Sequence, residues 1–113
     1  MSIKTDRIAN SMVKEISYIL ETEVKDKDIR FVTITDVKLA TDLSYAKVYY
    51  TVLDDNKRKE TDQALKSANS FIRKKLSERI NIRHTPELTF VFDESIEYGQ
   101  KIEKIIEKIN EKE

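Results

Sequence analysis

The chain is 113 residues, 39% hydrophobic and 37% charged, with apolar material for one modest core and no run of about 18 uncharged apolar residues to cross a membrane. No cysteine, one glycine and one histidine exclude disulfides, thiol catalysis and cysteine-ligated metal; glycine-rich phosphate loops lack their glycines, and a zinc site is short of ligands. Lys plus Arg and Asp plus Glu both number 21, so attraction to a polyanion can come only from how charge is distributed.

Residues 5–24 carry Ile8, Met12, Ile16, Ile19, Leu20 and Val24 at helical spacing, with Thr5 placed to cap and Asp6 in the first turn. Asp26-Lys27-Asp28 breaks the pattern. Residues 30–39 alternate and are rich in β-branched side chains, the pattern of a strand. Val32 and Ile34 share one face, whereas Val37 and Leu39 fall on the other, so a bulge or bend is expected near Asp36. Thr41-Asp42-Leu43-Ser44 turns the chain into a second strand, 45–53. There Ala46, Val48, Tyr50 and Val52 point one way and Tyr45, Lys47, Tyr49 and Thr51 the other. The short link predicts an antiparallel hairpin.

Asp54-Asp55-Asn56 forms a loop before a helical segment, 58–82, striped by Leu65, Ala68, Ile72, Leu76 and Ile80. Asn69 falls inside the apolar arc and Phe71 outside it. A kink near Ala68-Asn69-Ser70 would correct both, so two short helices are expected in place of one. Pro86 opens a third strand, 87–92, with Leu88, Phe90 and Phe92 on one face. Ser95 can cap a last helix bearing Tyr98, Ile102, Ile105, Ile106 and Ile109 in a narrow stripe. The order predicts a two-layer α+β fold, a three-stranded sheet with helices on one face and Tyr45, Lys47 and Tyr49 on the other. One domain over 1–113 is expected, with a core over about 1–95 and a C-terminal helix and charged tail over 96–113. The opening residues lack the layout of a secretory leader, so a cytoplasmic location is expected.

Charge is concentrated in the middle. Residues 57–84 hold nine basic and three acidic side chains, a net of +6, while the flanking segments are acidic. On the helical wheel Lys66, Ser70, Arg73, Lys74 and Ser77 share the face opposite the apolar stripe. Arg and Lys offer charge to phosphate, Arg in a fork, and Ser hydroxyls commonly touch the nucleic-acid backbone. The bland alternative is a solubilising face. Lys4 and Arg7 extend the patch from the first helix.

Chemistry has few other carriers. His84 is the one side chain suited to acid–base work near neutrality, but it stands without a placed carboxylate or nucleophile and reads as an ordinary polar residue or an anion contact. Asp54-Asp55 reads as a turn former, and Asp26, Asp28 and Asp36 have no calcium-loop spacing. Tyr45, Tyr49 and Phe31 suit base stacking, although cross-strand packing is the favoured reading of those rings.

Six blocks in order carry a resemblance. They are Arg7 with its amphipathic helix; Ile29–Val37; Asp42-Leu43-Ser44-Tyr45-Ala46-Lys47-Val48-Tyr49; Ala68-Asn69-Ser70-Phe71-Ile72-Arg73; Arg83-His84-Thr85-Pro86-Glu87-Leu88-Thr89-Phe90; and Asp93-Glu94-Ser95-Ile96-Glu97-Tyr98-Gly99. Along nearly all its length the chain resembles the ribosome-binding factor A family. The resemblance implies a type II KH-like domain, αββααβ with a C-terminal helix, in which a kinked helix pair replaces the GXXG loop. The family's Ala-x-Gly at the kink is matched by Ala68-Asn69-Ser70, with Ser70 where glycine is usual, and Asp26-Lys27-Asp28 stands where Asp-Pro-Arg is common. It also implies a non-catalytic factor, without cofactor or metal, that binds the free or immature small ribosomal subunit and its rRNA. Such a factor aids late maturation and 5′-end processing, matters in the cold, works as a monomer, and interplays with assembly GTPases and an initiation factor. The expected phosphate contacts are Lys66, Arg73, Lys74, Arg79, Arg83 and His84, with Lys4, Arg7 and Lys47 secondary. The alternative is a protein-interaction module using the last helix or the sheet edge.

Overall fold

The computed structural model describes residues 3–29 and 31–95. Its first helix, α1 (Ile3–Thr22), buries Met12, Ile16, Ile19 and Leu20 and half-buries Ile8, one continuous stripe. Nothing in Ile3-Lys4 resists helical geometry, so the helix starts ahead of Thr5, which lies inside the first turn rather than capping it. A short 3₁₀ turn, Lys27–Ile29, follows. Asp26 closes it, its side chain accepting from Asp28 N at 2.9 Å and its carbonyl from Ile29 N at 3.1 Å.

Strand β1 (Val32–Leu39) pairs antiparallel with β2 (Tyr45–Val52). The register shifts between Ile34 and Asp36, which makes Thr35 the extra residue of a bulge. Val32, Ile34, Val37 and Leu39 therefore all stand opposite the inward residues Val52, Tyr50, Val48 and Ala46. In the hairpin loop Leu43 takes φ 64°, a costly left-handed conformation for a branched side chain. Asp42 secures the turn by accepting from both Ser44 N and Ser44 Oγ, and these bonds draw its carboxyl below the usual carboxylate range.

Strand β3 (Glu87–Phe92) lies parallel to β2 on its free side, giving the order β1-β2-β3. Leu88, Phe90 and Phe92 continue the inward face beside Ala46, Val48 and Tyr50. Beyond β3, Asp93 accepts from the Ser95 hydroxyl and amide and from Thr35 Oγ1, and these bonds hold its carboxyl low. The expected C-terminal helix with Tyr98, Ile102, Ile105, Ile106 and Ile109 lies outside the described residues.

The main departure from expectation is α2 (Arg58–Arg79), one helix that runs through Ala68-Asn69-Ser70 without interruption. No glycine or proline interrupts the segment, and the two wheel anomalies have other answers. Asn69 does face the sheet, where its Nδ2 donates to the Leu88 carbonyl at 2.9 Å. Phe71 stays 41% exposed, with Lys75 Nζ 5.6 Å from its ring centre. The helix also ends at Arg79, short of 82, where Ile80 turns extended. The described order is thus αββαβ, with α1 and α2 over one sheet face, and the two-layer α+β architecture stands. Because Ser70 sits in an uninterrupted helix, Ser70→Gly is expected to cost about 0.5 kcal/mol through backbone entropy. A small drop in urea midpoint with an unchanged slope is the expected reading; a gain in stability would mean the backbone there wants a glycine.

Under the helices the core runs from Met12, Ile16 and Ile19 to Val48, Tyr50, Leu65, Ile72 and Leu76. Among the described residues no buried side-chain polar atom lacks a hydrogen-bond partner. Thr61 Oγ1 donates to the Asp28 carbonyl at 2.8 Å, and Tyr50 OH donates to Asp62 Oδ1 at 3.1 Å. Burial first, and then the Asp62 carboxylate, push the Tyr50 phenol up to about 12, so it stays a donor.

Candidate nucleic-acid interface

The exposed face of α2 follows from spacing: Lys66, Ser70, Arg73, Lys74 and Ser77 recur at intervals of three, four or one and all reach solvent. The segment after α2 then folds back toward β3. Arg73 Nη2 donates to the Thr85 carbonyl at 2.7 Å and Nε to the Pro86 carbonyl at 3.1 Å. This return brings Arg83 and His84 beside the helix face. The result is an open cleft of about 620 Å³ walled by Arg73, Lys74, Arg83 and His84, with Ser70, Ser77 and Asn69 on the helix side. One carboxylate, Glu87, also lines it, an acid that the charge run does not reveal.

Side-chain partners sort the basic residues. Among the described residues the side chains of Lys74, Arg83 and His84 have no hydrogen bond or ion pair, so their donors are available to a ligand. Lys66 lies one turn away and pairs with Asp62 at 3.0 Å. Arg79 leaves the group altogether. It turns to α1, where it pairs with Glu15, and its guanidinium carbon stands 4.2 Å from the Tyr18 ring centre. The Glu15 hydrogen bond favours the charged form of Arg79. Lys75 is held between Glu23 and Glu78, and Arg58 pairs with Glu94 while stacking on Phe92.

The secondary candidates are dispersed. Lys4 and Arg7 are exposed on the first turns of α1, whose start lies against the end of β1, and neither lines the cleft. Lys47 is on the open sheet face, opposite Lys38. Tyr45 is 52% exposed on that face, and Tyr49 is half-buried with Lys38 Nζ 5.4 Å from its ring centre. Phe31 belongs to an apolar depression with Val52 and Leu53, away from the cleft. Among the described residues no cluster of three or more His, Asp or Glu could hold a metal ion, and no helix is long and apolar enough to cross a membrane.

Comparison with known proteins adds the family context. The family model described as ribosome-binding factor A matches residues 4–106. Ribosome-binding factor A of Staphylococcus epidermidis is 47% identical over 110 residues, 96% of this chain and 95% of its own length. The crystal structure of ribosome-binding factor A from Thermus thermophilus superposes with a TM-score of 0.70 at 20% identity, over 77% of this chain and 93% of that one. A homology model of the Thermus thermophilus factor, fitted into the cryo-EM map of its complex with the 30S subunit, gives a TM-score of 0.62 at 20% identity, over 84% of this chain and 97% of that one.

Proposed function

The chain belongs to the ribosome-binding factor A family, and on that premise we propose that it is a non-catalytic assembly factor that binds the free or immature small ribosomal subunit and its rRNA. The observation that carries the reading is the cleft between α2 and the 80–86 loop, where the unengaged side chains of Lys74, Arg83 and His84 converge with the hydroxyl of Ser70, while the Ser77 hydroxyl already donates to the Lys74 carbonyl at 2.6 Å. Cationic donors fix phosphate, and short hydroxyl side chains add neutral contacts that carry no base information. The related Thermus factor fitted with the 30S subunit supports the choice of partner.

In this reading the protein works by holding RNA, as a monomer in the cytoplasm and without a cofactor. It acts late in maturation, aids processing of the 5′ end of small-subunit rRNA, and matters most in the cold, when misfolded RNA persists. Assembly GTPases and an initiation factor act on the same intermediates. Lys66 joins the phosphate contacts only by exchanging its Asp62 partner, and Lys4, Arg7 and Lys47 serve as peripheral contacts where the RNA surface reaches them.

Co-sedimentation with purified small subunits and with whole ribosomes, over a salt series, tests the proposal. Retention by small subunits is expected to fall roughly tenfold or more between about 50 and about 200 mM salt, the behaviour of several released counterions. Equal retention by whole ribosomes, or retention indifferent to salt, would overturn it.

A further inference from the structure

Arg73 stands on the basic face of α2, but one edge of its guanidinium is committed elsewhere. The Nε and Nη2 edge spans two successive carbonyls, Pro86 at 3.1 Å and Thr85 at 2.7 Å, in the loop that carries Arg83 and His84. Few backbone hydrogen bonds hold that loop. Ile80 N bonds back to Leu76 and Ile82 N to Ile80, and the next backbone bond is Glu87 N to the Ser44 carbonyl. Among the described residues, Arg73 supplies the hydrogen bonds between those two anchors.

We infer that Arg73 is a positioning residue, which clamps the Thr85-Pro86 backbone so that Arg83 and His84 face Lys74 across the cleft. This rests on the proposed RNA-binding role of that cleft. The chemistry needs an arginine. Its planar fork presents two N–H groups at fixed separation along one edge, which two neighbouring carbonyls can share. A lysine keeps the charge, but its three donors radiate from one mobile nitrogen and do not reproduce that fixed two-nitrogen edge. Pro86 contributes too: fully buried, with no N–H of its own, it offers its carbonyl to the helix while fixing the chain's entry into β3. The clamp and the Asn69–Leu88 bond lie one turn apart on α2, so the helix reads the β3 approach at two successive points.

Arg73→Lys separates clamp from charge. With purified small subunits as the probe, Arg73→Lys is expected to bind about fivefold to tenfold more weakly than the wild-type chain, nearly as weakly as Arg73→Gln. In an Arg83→Gln, His84→Gln background Arg73→Lys should not weaken binding further, because a clamp acts only through what it positions. An additive loss from Arg73→Lys in that background, or wild-type affinity in Arg73→Lys alone, would overturn the assignment. A second readout needs no RNA. Trypsin recognises Arg and Lys alike at position 73, so faster cleavage after Arg83 in folded Arg73→Lys reports a released loop, and an unchanged rate sinks the clamp. Wild-type protein that fails to bind small subunits would instead sink the functional reading, leaving the tryptic result to judge the clamp alone.

Discussion

Lys74→Glu combined with Arg83→Glu is expected to weaken small-subunit binding about a hundredfold at near-physiological salt and to leave the unfolding midpoint nearly unchanged. Both side chains are exposed and without partners among the described residues, so reversal breaks no bond within the fold. On the proposed reading each loses a phosphate contact and gains a repulsion, which is why reversal should exceed neutralisation. The neutral pair, Lys74→Gln with Arg83→Gln, should flatten the salt dependence by about 0.7 to 0.9 for each contact removed. Arg73 is a poorer target for the same test, because its reversal also abandons the Thr85 and Pro86 carbonyls. Arg79→Gln is the natural contrast. It should cost stability through Glu15 and Tyr18, with little change in RNA affinity. Undiminished binding by the doubly reversed chain would remove the cleft as the RNA interface.

Residue order alone carries much of this fold, for identifiable reasons. Alternation in residues 45–52 assigns both faces of β2, and the parity slip between Ile34 and Val37 calls for a bulge or bend, which the structure supplies as a bulge with Thr35 the extra residue. Strand order is not legible in the same way. Leu88, Phe90 and Phe92 show one buried face whether β3 lies beside β1 or β2. The expected helix break fails because a wheel treats every polar side chain as seeking water. Asn69 instead satisfies a carbonyl on β3, nineteen residues away and invisible to local pattern.

The site divides the same way. Helical spacing places Lys66, Ser70, Arg73, Lys74 and Ser77 on one face, since spacing is a property of the helix itself. Which of those cations remain available is a tertiary matter. Arg79 belongs to the same run of positive charge, but its partner Glu15 lies 64 residues back on α1. Arg83 and His84 join the cleft because the loop folds back, and that return depends on Pro86 and on two carbonyls that no charge count weighs. The proposed interface is accordingly narrower than the charge run.

Ile72→Ala is expected to destabilise the protein by about 3 kcal/mol, and the adjacent Phe71→Ala by less than about 1 kcal/mol. The contrast follows from the uninterrupted course of α2. Ile72 is fully buried in the core that Leu65 and Leu76 share with Ile16 and Ile19, so removing its methyl groups leaves a cavity the packed neighbours cannot fill. Phe71, one residue earlier and 41% exposed, loses mainly its contact with Lys75 and part of its apolar cover. Against a typical domain stability of about 5 to 15 kcal/mol, the Ile72 loss is a large fraction and should shift the urea midpoint visibly. A helix broken at Ala68-Asn69-Ser70 would rotate its second half and carry Phe71 inward. In that geometry Phe71→Ala becomes the costlier change. Measured side by side, the two substitutions therefore decide how the helix bearing Arg73 and Lys74 is oriented on the sheet, and with it whether the cleft faces solvent at all.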